Sequence, residues 1–146
     1  MTQIDRNKSL QELEGKDWGE PIYDSHLVTE CYRLRRVPLR ELTAGSLRIL
    51  IGQQIGLQYL VPMALELVQA DPFTEGDYYS GDLLAAVLRV EATFWREHSD
   101  LRREASGAAA QAFGLLPRLG EVDRRTAGKA ISEAYDVFRK SEPTMA

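Results

Sequence analysis

The stretch Pro38–Arg89, PLRELTAGSLRILIGQQIGLQYLVPMALELVQADPFTEGDYYSGDLLAAVLR, decides the fold. Thr43 reads as an N-cap, and Leu47, Leu50 and Ile51 follow at helical spacing. Gly52-Gln53-Gln54-Ile55-Gly56 then interrupts the pattern. A glycine inside a helix costs about 1 kcal/mol relative to alanine, so this run predicts a break, with the glutamine side chains bonding freed backbone groups. From Leu57 a wide apolar stripe of Leu60, Val61, Ala64, Leu65 and Val68 predicts a central helix, with Pro62 in its first turns. Asp71-Pro72 closes it. An acidic, tyrosine-bearing loop, Phe73 to Gly81, follows, and Ser80 or Asp82 starts a third helix carrying Leu83, Leu84, Val87 and Leu88.

Outward from this unit the pattern stays helical. On the N-terminal side Ser9 and Glu12 have capping-box spacing, Gly15 ends that short helix, and Lys16 to Pro21 is a breaker-rich loop holding Trp18. Ser25 caps a helix to about Arg36, with Leu27, Val28, Cys31 and Leu34 as its inner face. Arg33, Arg35 and Arg36 fall in its last turn, where cations suit the helix dipole. On the C-terminal side Phe94 and Trp95 belong to a short packed helix, and Leu101 to Leu116 forms an alanine-rich one ending at Pro117. Thr126 is expected to cap a last helix turning Ala130, Ile131, Ala134, Val137 and Phe138 inward, and residues 141–146 are expected to fray. No segment alternates like a strand. The expectation is an all-α fold, one domain over residues 1–146, an irregular helical bundle of about seven helices.

Composition narrows the function. The chain has 146 residues, 44% of them hydrophobic, enough for one core. Its one cysteine, Cys31, excludes an internal disulfide framework and a multi-cysteine zinc site. The first fifteen residues lack the apolar core of a signal peptide. Arg48, Gln53, Gln54, Gln58 and Glu66 break the greasiest run, so no membrane span is expected and the reading is cytoplasmic. Net charge is -4 overall; residues 31–50 hold 5 bases against 1 acid, and residues 51–100 hold 8 acids against 2 bases. An acidic middle repels phosphate, which argues against direct nucleic-acid binding, and it suits a basic protein partner.

Catalytic motifs are missing: no P-loop, dinucleotide fingerprint, HExxH or nucleophile elbow occurs. His26 and His98 are expected to be exposed and unpaired. His26 lies five residues from Cys31, about 140° round the helix, so Cys31 reads as core rather than nucleophile. As a calcium loop, Asp71 to Asp82 has glycine correctly at its sixth position, but Phe73 occupies a ligand position and Asp82 replaces the bidentate glutamate. No catalytic residue, metal or cofactor is expected. The concentration of acids and tyrosines instead has the composition of a contact surface. Glu75, Asp77, Tyr78, Tyr79 and Asp82 are the candidate partner-binding residues, with Asp17, Trp18, Glu20 and Asp24 as a second patch.

Three blocks carry a resemblance: LEGKDWGEP (residues 13–21), RILIGQQIGLQYLVPMALE (48–66) and EGDYYSGDLL (75–84). Together with their surroundings, about residues 9 to 95, they resemble immunity proteins of bacterial contact-dependent growth inhibition systems. The region after Arg102 carries little of the likeness. The resemblance implies inhibition rather than chemistry. Such a protein binds the toxic C-terminal domain delivered by a neighbouring cell and occludes its active site or substrate surface in the cytosol. Many such toxins are nucleases with basic surfaces. Two other readings stand beside it: a small helical scaffold or regulator using the same face on another protein, and a metal-dependent hydrolase built on the loop carboxylates.

Overall fold

The computed structural model of the protein describes residues 3–22 and 25–141. Among them lie eight α-helices, one more than expected, and no strand. They are α1 (Leu10–Glu14), α2 (His26–Leu34), α3 (Ala44–Gly52), α4 (Leu57–Ala70), α5 (Asp82–Leu88), α6 (Ala92–Glu97), α7 (Ser99–Leu115) and α8 (Glu121–Arg139). Local chemistry sets the early starts. The hydroxyls of Ser9, Ser25 and Thr43 accept the N–H groups of Glu12, Val28 and Ser46, and Glu12 returns a bond to the Ser9 N–H. Such caps satisfy N–H groups that the helix itself leaves without partners.

The core forms around α5. Every residue of α5 except Ala86 is buried, including Asp82 at its first position. A short helix that is apolar nearly all round must be covered on all sides. α8 and α3 cover α5 most extensively, and α4 and α7 complete the shell. Trp95 of α6 is fully buried and meets Phe138 of α8 edge-on at 5.5 Å between centroids.

The break after α3 is present, and its two glycines differ. Gly52 is the last residue of α3 in an open setting. Gly56 has φ +62°, and a Cβ there would lie 2.7 Å from both Leu10 methyls. Gln54, itself at φ +59°, reaches the junction of α5 and α6: its amide donates to the Arg89 carbonyl and its oxygen accepts from the Glu91 N–H.

Several expectations are corrected. α2 ends at Leu34, so only Arg33 of its three arginines lies in the last turn. Leu27 is 41% exposed and Val137 47%, each at the edge of its stripe. α8 begins at Glu121, with acids Glu121 and Asp123 in its first turn, which leaves Thr126 in the helix interior. His98 is half-buried, stacked on Phe94 at 4.2 Å with Nδ1 3.0 Å from the Phe94 carbonyl. Ser141 is buried and bonded to the Phe138 carbonyl, and residues 142–146 lie outside the described residues. Among the described residues no helix is long and apolar enough to cross a membrane.

Candidate functional site

The acidic loop between α4 and α5 is pinned from within. Asp71 ends α4, its carboxylate accepting the Phe73 N–H and its carbonyl receiving the Thr74 hydroxyl. At the other end Gly81, at φ +89°, donates to the Phe73 carbonyl and closes the loop on itself. Between these ties the backbone turns round one buried carboxylate. Asp82 accepts the N–H groups of Gly76, Tyr78 (3.0 Å) and Tyr79 (3.4 Å). Asp82 therefore neither caps its own helix nor faces solvent: its side chain is 2% exposed.

Arg48 of α3 completes this centre. Its Nε lies 3.6 Å from the Asp82 carboxylate and donates to the Gly76 carbonyl at 2.5 Å, and its guanidinium covers the Tyr78 ring at 4.2 Å. Gly76 permits the approach, since a Cβ there would lie 3.0 Å from the Ala44 carbonyl oxygen and 3.2 Å from an Asp82 oxygen. Asp77 takes a left-handed backbone conformation, φ +83°, and its carboxylate fills the space that a Gly45 Cβ would occupy. That puts negative charge against the first turn of α3, where a helix favours it. Glu75 and Asp77 are both exposed, and neither side chain makes a hydrogen bond or ion pair among the described residues.

The result is an exposed aromatic on a fixed base. Tyr78 is 74% exposed although its backbone and ring face are both held. Two shallow hollows flank it. One, about 370 Å³, runs over His26, Leu27, Ile49 and Gln53; the other, about 230 Å³, runs over Tyr79, Ala86 and Arg89. Tyr79 is half-buried, and burial, followed by the negative charge of Asp82, raises its phenol above the ordinary tyrosine range. Cys31 is buried in the core and its thiol is likewise raised, chiefly by burial, which is the opposite of what a nucleophile needs.

The second predicted patch is held on α2. Trp18 meets Tyr32 edge-on at 5.2 Å and lies over the Arg35 guanidinium at 4.0 Å, leaving about a third of the indole exposed. Arg35 is itself buried, pairs with Glu14 at 2.6 Å and donates to the Lys16 carbonyl. Asp17 and Glu20 each stand 3.6 Å from Arg36, which also donates to the Gly19 carbonyl. Arg33 forms a two-pronged pair with Glu30. The arginines expected to serve the helix dipole thus bind carboxylates. Asp24 lies outside the described residues. The two patches use different faces of α2: Leu27 borders the Tyr78 hollow and Tyr32 carries Trp18, five positions and about 140° apart.

The sequence reading missed Arg48 and Leu27. The signal for Arg48 was there, a lone cation inside the apolar run of α3 whose counter-charge had to come from elsewhere. Leu27 gave none, because a leucine at the edge of a stripe reads as core. Among the described residues no group of three His, Cys, Asp or Glu side chains could hold a metal ion.

These features define a class: a small all-α protein that holds an aromatic out on a rigid, partly acidic loop. Comparison with known proteins gives the particular family. The model of CDI immunity proteins matches residues 12–105, and the chain belongs to that family. CDI is contact-dependent growth inhibition, and an immunity protein of such a system neutralises its cognate toxin. No curated protein and no solved structure gave a match.

Proposed function

We propose that the protein neutralises its toxin by direct binding through the face centred on Tyr78, occluding the toxin's active site or substrate surface without turnover. The observation that carries this reading is the exposure of Tyr78 on a pinned base. A tyrosine held this way offers a large amphipathic contact at little cost in conformational entropy, and tyrosine is enriched among residues that dominate binding energy. Tyr79, Leu27 and Gln53 border the same surface, and Glu75 and Asp77 add charge to it. The acids suit a basic partner surface such as a nuclease uses for its substrate, and complementary charge speeds encounter. Asp82 supports this face from inside. Asp17, Trp18 and Glu20 form a second contact area, secondary because Arg36 already partners its acids.

The test is titration of the purified cognate toxin domain with this protein. The expected result is a one-to-one complex and loss of toxin activity at equivalence. Tyr78→Ala should weaken binding 10- to 100-fold, the range for a central tyrosine anchor. If Tyr78→Ala combined with Glu75→Lys left affinity unchanged in a folded protein, the proposed face would be wrong.

A further inference from the structure

We infer that Asp82 and Arg48 are positioning residues for toxin binding, which act through Tyr78. The inference rests on the reading of Tyr78 as a contact and adds how that contact is made ready. Asp82 is the first residue of the helix at the centre of the core, and its carboxylate gathers the N–H groups of Gly76, Tyr78 and Tyr79. Six of the loop's constraints thus run through two buried or half-buried side chains: these three backbone bonds, the Arg48–Asp82 pair, the Arg48 bond to the Gly76 carbonyl and the Arg48–Tyr78 stacking. The arrangement is over-determined in a way a solvated surface loop is not. A carboxylate buried beside one arginine and three amides can be replaced by nothing of equal charge and size. Removing it leaves amides without acceptors and frees Arg48 from its counter-charge, so Tyr78 loses its fixed direction while remaining in the sequence. Ordering the loop again on binding would then reduce affinity.

A double-mutant cycle separates this from a general structural role. Binding of a catalytically inactivated cognate toxin domain is measured for the wild type, Asp82→Asn, Tyr78→Ala and the double variant. The expected result is a loss of tenfold or more for Asp82→Asn when Tyr78 is present and less than twofold when it is alanine. Hydrogen exchange without toxin should show the Gly76, Tyr78 and Tyr79 amides at least tenfold faster in Asp82→Asn. Equal losses in both backgrounds, or no loss in either, overturn the inference while leaving Tyr78 as a contact. If Tyr78→Ala itself binds as the wild type does, the contact reading fails and the inference falls with it. Should Asp82→Asn not fold, Arg48→Lys serves instead. Lysine keeps the charge beside Asp82 but cannot both bond the Gly76 carbonyl and cover the ring, so the same non-additivity with Tyr78→Ala is expected.

Discussion

Asp77 and Asp82 stand five residues apart at the acidic loop, yet one lines the first turn of α3 and the other is enclosed by amide groups. Composition registers charge, whereas the direction of a carboxylate depends on which backbone surrounds it. Gly52 and Gly56 repeat the lesson. The sequence marks both as a helix break, and the break exists, but Gly56 alone combines a left-handed φ of +62° with Leu10 methyls 2.7 Å from a would-be Cβ. Leu10 is 46 positions away, out of reach of any local pattern. Gly56→Ala should therefore destabilise the fold by about 2–4 kcal/mol, adding left-handed strain to overpacking. Gly52→Ala, with nothing within 4 Å and a helical setting, should be neutral or stabilise by up to about 1 kcal/mol. Urea denaturation midpoints of the two variants measure both effects, and similar midpoints would contradict the distinction.

At the scale of elements, caps and stripes were legible because their physics is local: Ser9, Ser25 and Thr43 all cap where the sequence puts them. Stripe edges were not, since the placement of neighbouring elements decides whether Leu27 or Val137 is covered. The docking of the N-terminal segment on α2 was equally hidden. Its backbone runs beside the α2–α3 connection, with Leu39 and Arg40 donating to the carbonyls of Lys8 and Arg6 and Gln11 donating to that of Arg35. The buried Arg35 then joins the two elements through Glu14, the Lys16 carbonyl and the Trp18 ring. Removing one member of such a pair is costly when the charge left behind is buried and uncompensated. Arg35 is 1% exposed and Glu14 31%. Glu14→Gln should thus destabilise by about 1–3 kcal/mol, below the range for a fully buried pair because water reaches Glu14. Arg35→Met, which leaves a part-exposed carboxylate and the Lys16 carbonyl without their partner but no buried cation, should cost less. Trp18 fluorescence during unfolding follows the docking directly, and a larger loss for Arg35→Met would reverse this account of the pair.

At the scale of the whole molecule, the boundary of family likeness and the boundary of the core do not coincide. The family model ends at residue 105, within α7, whereas α8 lies wholly beyond it. Yet α8 makes the most extensive contact with α5, the helix that carries Asp82, and it buries Ala127, Ile131, Ala134 and Phe138. Gly81 at the root of the loop would meet Ile131 of α8 at 3.0 Å if it carried a Cβ. The C-terminal helix is thus part of the core that carries the Tyr78 loop. The alanine-rich α7 and the apolar face of α8 were readable as buried surfaces, but what they cover was not, since helix periodicity names a face and never its partner. Ending the chain at Gly120 would expose α5 and the fully buried Trp95 to water. Such a chain should lose cooperative thermal unfolding by circular dichroism and fail to protect against the toxin, although it retains every block of the family resemblance. Phe138→Ala provides the graded version. Phe138 packs against Trp95 and Tyr135 and lies beneath Arg102, so its loss should cost about 3–5 kcal/mol. Its effect on toxin affinity should be small wherever the protein remains folded, because α8 supports the loop through α5 rather than by contact with the toxin. A truncated chain that unfolded cooperatively and still bound would make α8 an appendage instead of part of the core.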